Sequence, residues 1–90
     1  MSLRNRATTK RVGCFSTDGA PMFSVNPGLS AVAALELASC FLATISGLSG
    51  TIGEEGGDTS EAYAAHYLAD MAKALVDSAT EGLLKAGQSQ

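Results

Sequence analysis

Residues 47–58 read "GLSGTIGEEGGD", with glycine at every third position and one more at Gly57. Whether this run cradles a phosphate or joins two helices decides the fold. A phosphate loop needs inward-pointing backbone N–H groups and normally a cation beside them. Here Glu54, Glu55 and Asp58 stand in that place and would repel an anion. No Gly-Lys-Ser/Thr ending follows, no strand pattern precedes, and four triplets without proline are too few for a collagen-like repeat. The run therefore reads as a joint. Gly47 and Gly50 belong to the last turns of one helix, and Gly53, Gly56 and Gly57 to a turn that uses positive φ.

Upstream of the joint, Ser30 is a natural helix N-cap, and Asn26-Pro27-Gly28 turns the chain just before it. From there the spacing predicts a helix over about 31–52. Its large apolar residues, Leu35, Leu37, Phe41, Leu42, Ile45, Leu48 and Ile52, cover one broad face at ~100° per residue. A second stripe of Glu36, Cys40, Ala43, Gly47 and Gly50 is almost entirely small. A solvent-facing stripe would carry Lys, Glu or Gln, so this helix is expected to pack on both sides. Downstream, Asp58 and Glu61 have the spacing of a capping box, with Thr59 and Ser60 as alternative caps. The second helix is expected over about 59–85. Its apolar stripe runs Ala64, Leu68, Met71, Ala72, Leu75, Val76, Ala79 and Leu83. Tyr63, His66, Asp70, Lys73, Asp77 and Glu81 form its wet side, and Lys73 can pair with Asp70 or Asp77.

The expected fold is all-α: an antiparallel helical hairpin with an extended N-terminal arm. A lone hairpin of this size buries too little apolar surface to offset its conformational entropy. Two of them suffice, so a homodimeric four-helix bundle is the simplest solution. Its interface would draw on Leu35, Phe41, Leu42, Ala43, Ile45, Gly47, Leu48, Gly50, Leu68, Met71 and Leu75.

The 90 residues carry a formal charge of −3 that is unevenly spread. Arg4, Arg6, Lys10 and Arg11 are four of the six basic residues, and no acid precedes Asp18. From Asp18 onward only Lys73 and Lys85 oppose nine carboxylates. Residues 1–20 read as a flexible basic arm and 21–90 as the helical-hairpin domain. Asp18-Gly19 is a hairpin-type dipeptide, and Phe23 and Val25 alternate with Ser24 and Asn26, but the flanking strand signals are weak and no sheet is expected. The start of the chain has no apolar h-region, so it is not read as a secretory signal.

Few chemistries survive this composition. Cys14 and Cys40 make neither a disulfide framework nor a zinc site, and Cys40 is expected as a buried, inert thiol in a reducing cytoplasm. His66 and Asp70 stand at i and i+4, a spacing that can share a ligand, yet no third ligand is evident and the pair reads as solvated. No catalytic residues, cofactor or metal are expected. The seventeen residues from Leu37 to Gly53 lack a charge, but serine, threonine and glycine dilute them below what a membrane span needs. Three functions remain. The first is a non-enzymatic self-association or interaction module, adaptor or regulatory in role, with an unknown protein partner. A nucleic-acid-associated regulator using the basic arm is disfavoured, because no aromatic residues interleave the charges. The third is a small-ligand or metal binder on the polar face of the second helix.

"FSVNPGLS" (23–30), "ALELASCFL" (34–42) and "YAAHYLADMAKALVD" (63–77) together resemble a family of short pseudomonad proteins of unknown function. That family opens on Phe-x-Val-x-Pro-Gly, continues with an Ala-Leu-Glu-x-Ala-Ser helix and closes a second helix near Met-x-Lys-Ala-Leu. The likeness spans about residues 22–78. It implies a bacterial, cytoplasmic helix-hairpin protein and carries no activity that could be assigned to particular residues. The chain departs from the pattern at "SAVA" (30–33), which lacks acids, and in the glycine-rich joint.

Overall fold

A computed structural model describes the backbone of residues 6–55 and 59–88, and the side chains of 6–48 and 60–88. Four elements follow in order: strand β1 (Gly13–Thr17), strand β2 (Ala20–Ser24), helix α1 (Ala31–Glu55) and helix α2 (Thr59–Gln88). The all-α expectation is therefore corrected. The fold is a helical hairpin joined to an antiparallel two-stranded sheet.

The signal for the sheet was local. Asp18 and Gly19 both take positive φ, 53° and 83°, which is the conformation of a two-residue hairpin turn matched to the twist of its strands. The register runs from Thr17↔Ala20 to Gly13↔Ser24, and the Val25 N–H extends the ladder by donating to the Val12 carbonyl at 2.9 Å. Pro21 is tolerated because β2 has strand pairing on one side only. A two-stranded hairpin is marginal alone, and this one holds because β1 packs against α2. Strand propensity in "GCFST" and "APMFS" is low, and tertiary contact supplies what propensity does not.

Residues 7–20 are likewise not a loose arm. Ala7 and Thr9 are buried, and Thr8 bridges Ser30 in antiparallel fashion. Thr9 closes the Asn26-Pro27-Gly28 turn from outside. Its N–H donates to the Leu29 carbonyl (2.7 Å), and its carbonyl accepts from the Gly28 N–H (3.0 Å). Its hydroxyl donates to the Asn26 carbonyl (2.6 Å) and accepts from the Leu29 N–H (3.0 Å). Gly28, at φ 83°, sits where a proline-initiated turn calls for a left-handed residue. One residue on, the buried Ser78 hydroxyl accepts from the Lys10 N–H at 3.0 Å and donates to the Lys10 carbonyl. This strap crosses α2 at Gly82, where a Cβ would lie 1.8 Å from the Thr8 carbonyl oxygen. Residues 1–5 of the expected arm lie outside the described residues.

α1 begins as capping chemistry predicts. The Ser30 hydroxyl accepts from the Ala33 N–H at 3.2 Å, as an N-cap should. α1 continues to Glu55 rather than stopping near 52, which takes Gly53 out of the turn, and α2 continues to Gln88 rather than 85. The Asp58 cap, Gly56 and Gly57 lie outside the described residues.

The seam between the helices corrects the expected face of α1. Ala31, Ala34 and Ala38 are buried there, opposite Ala72 and Ala79, with Leu75, Leu83 and Ala86 partly buried around them. Alanines at i, i+3 and i+7 let the backbones approach closely. Leu35, Leu37 and Leu42 consequently turn away from the seam and are exposed. The side chains fully buried among the described residues are no larger than Thr9 and Ser78.

Candidate interaction surface

The hairpin sets its aromatic residues against α2. In a regular strand neighbouring side chains point to opposite faces, so Phe15 would turn away from Phe23, whose neighbour across the ladder is Cys14. Phe15 instead adopts φ 57°. Its ring meets Phe23 edge-on at 5.9 Å and Tyr67 edge-on at 5.7 Å. A bulky residue at positive φ is a true outlier, of the kind that costs about 1–3 kcal/mol and clusters at functional positions. Tyr63 and Tyr67, one helical turn apart, extend the cluster with rings 6.1 Å apart and nearly parallel.

These rings border a cleft of about 420 Å³ lined by Phe15, Phe23, Tyr67 and Met71, whose open wall is wholly apolar. A second cleft of about 250 Å³ shares Phe23 and Met71 and reaches Leu37 and Phe41 of α1. The aromatic residues are not consumed by the core. Phe23 is 67 % exposed, Tyr63 56 % and Tyr67 48 %.

The polar pair expected on α2 lies beside this cluster. His66 Nε2 stands 3.4 Å from Asp70 Oδ2, and the imidazole also leans on Tyr67 with ring centres 5.8 Å apart. Among the described residues no group of three or more His, Cys, Asp or Glu is placed to hold a metal. Lys73 pairs with Asp77 rather than Asp70, at 2.7 Å. The hydrogen bond to Asp77, reinforced by its charge, holds the Lys73 ammonium above its ordinary value of 10.5. Both cysteines are free; Cys40, expected to be buried, is exposed on α1, and Cys14 is half-buried in β1.

The residues expected at an oligomer interface divide between two places. Phe41, Ile45, Leu48, Leu68, Met71 and Leu75 are half-buried within the chain, Phe41, Met71 and Leu75 sharing one cleft. Leu35, Leu42, Ala43 and Gly47 stay exposed on α1; the surroundings of Gly50 lie outside the described residues. The sequence offers no signal for Phe15, Tyr67, Thr9 or Ser78, and it shows Gly82 only as a weak point in the last turns of α2. The Asp18-Gly19 turn was the one signal that pointed toward the hairpin carrying Phe15.

The family described as protein of unknown function (DUF3077) matches residues 8–82. The chain belongs to this family. The DUF3077 match opens at Thr8 and closes at Gly82, the two residues whose backbones meet where the strap crosses α2. The match takes in the strap from Thr8, the β-hairpin, α1 and α2 as far as Gly82, and is wider than the resemblance over residues 22–78. No curated protein and no solved structure matches the chain.

Proposed function

We propose that this DUF3077 protein is a small non-catalytic interaction module, adaptor or regulatory in role, whose working surface is the aromatic cleft between the β-hairpin and α2. The observation that carries this reading is Phe15. A left-handed φ of 57° at a phenylalanine is unfavourable, and here it holds the ring between Phe23 and Tyr67 while leaving an apolar cleft open. Protein interfaces are anchored by aromatic residues in apolar pockets. A cleft lined by Phe15, Phe23, Tyr67 and Met71 has only the Tyr67 hydroxyl to orient a polar metabolite and is better suited to an apolar group. The fitting occupant is therefore a leucine, methionine or phenylalanine side chain presented by another protein.

Affinity capture of the native protein from its own cells tests this, run in parallel with Phe23→Ser and Tyr67→Ser. Phe23 is largely exposed but packs on Phe15, so native circular dichroism of each variant is the control that its fold stands. Partners held by the native chain should be lost from both variants. An identical set retained by all three would remove the cleft from consideration.

A further inference from the structure

Among the described residues the strap and hairpin cover one side of the helix pair and none covers the other. By the 3.6-residue period that side presents Val32, Leu35, Ser39 and Leu42 of α1 and Ala69, Val76 and Leu83 of α2. A groove of about 460 Å³ runs along it, lined by Val32, Leu35, Ser39 and Leu83 among others. Leu35, Leu42 and Val76 are exposed there. Glu36, the sole charge of α1 before Glu54, lines one edge of the groove, and Lys73 falls beside Ala69 and Val76 on the outer flank of α2. An apolar centre with a polar rim is the anatomy of a protein interface.

We infer that this bare face is covered by a second copy of the same chain. Three quantities describe a chain with surface left to cover, and the first is of the size that a two-fold dimer buries. The chain exposes 5844 Å² at 9.1 kDa, where a compact monomer of that mass exposes about 4,900 Å². The surplus of roughly 900 Å² matches the ~800 Å² that each partner contributes to a standard interface. The Cα radius of gyration is 15.4 Å, against about 12 Å for a compact domain of this length. The chain measures only 14 Å along its thinnest axis, and a stable domain needs packed layers around a core of large side chains. A self-complementary two-fold contact buries the same face on both chains at once and leaves both aromatic clefts outside.

Sedimentation equilibrium at about 1–100 µM tests this directly. The native chain should run at twice 9.1 kDa. Leu42→Glu buries an unpaired charge and should weaken association by about 100-fold or more. Ala69 is already exposed, so Ala69→Glu cannot act by unfolding the chain, and it should also give monomers with native helical circular dichroism. Phe23→Ser should remain dimeric. A native monomer across this range overturns the inference, and co-flotation of that monomer with phosphatidylcholine vesicles would give the face to a bilayer instead. A dimer that survives both glutamates, or that is lost in Phe23→Ser, also overturns it; failure of the cleft reading leaves these outcomes unchanged.

Discussion

Replacing Gly82 by alanine sets two effects of opposite sign against each other. In an isolated helix Gly→Ala stabilises by about 1 kcal/mol, because glycine loses the most backbone freedom. In this chain the added Cβ would lie 1.8 Å from the Thr8 carbonyl oxygen and 2.8 Å from its carbon, both backbone atoms. Restoring ordinary contact moves the strap by about 1.5 Å or more. Its bonds to the rest of the chain start at 2.7–3.1 Å, from Thr9 N–H to Leu29, from Gly28 N–H to Thr9 and from Ala31 N–H to Ala7. A shift of that size breaks them, at ~1 kcal/mol net for each bond. Overpacking alone costs about 1–3 kcal/mol. The clash wins, and Gly82→Ala should lose about 2–4 kcal/mol. In a chain of this size that lowers Tm by roughly 10–20 °C. Thermal and urea unfolding followed by circular dichroism measure it, with Gly87→Ala as the control. Gly87 lies in the same helix with nothing within 4 Å of its built Cβ, so that variant should be unchanged or slightly stabilised. A Gly82→Ala protein as stable as the native one would refute the close crossing of strap and helix.

Other consequences of the structure are as direct. Ser78→Ala removes the hydroxyl that serves both the N–H and the carbonyl of Lys10; the N–H keeps its long 3.4 Å contact to the Ser78 carbonyl, and the loss should cost about 1–3 kcal/mol in urea unfolding. Thr9→Val keeps the shape but loses the bonds to Asn26 and Leu29; a loss of ~2 kcal/mol is expected, with faster amide exchange at Leu29. Gly19→Ala meets no atom within 4 Å, so its cost should be conformational alone, about 1–2 kcal/mol at φ 83°. The raised Lys73 ammonium adds stability that is present below the ordinary lysine value and is lost as pH rises through the higher folded one. In Asp77→Asn the Lys73 titration midpoint, followed by NMR, should fall; an unmoved midpoint would show that Asp77 is not the cause.

What the sequence by itself determined is the local grammar of the chain. The Ser30 cap, the Pro27-Gly28 turn, the helical period on both sides of "GLSGTIGEEGGD" and the Asp18-Gly19 turn all rest on residues a few positions apart. Each such signal imposes a φ or a cap where it stands. The scarcity of charge along α1, with Glu36 alone before Glu54, was equally legible; the packing on both sides expected from it is not met within the chain, where Glu36, Cys40, Ala43 and Gly47 are exposed. Which stripe of α1 faces α2 was decided only by the tertiary structure. When a helix is apolar nearly all round, periodicity does not choose between the alanines at 31, 34 and 38 and the leucines at 35 and 42, and close backbone approach selects the alanines. The strap was illegible for a related reason. Thr9 binds a turn 17–20 residues away, and Ser78 binds Lys10 across 68 residues. Gly82, read along the chain, is only a weak point in a helix; its reason lies in the Thr8 backbone that passes over it. The aromatic cleft depends on Phe15 holding an unfavourable φ, and no run of neighbouring residues encodes that. It exists because packing against Tyr67 and Phe23 outweighs the local preference.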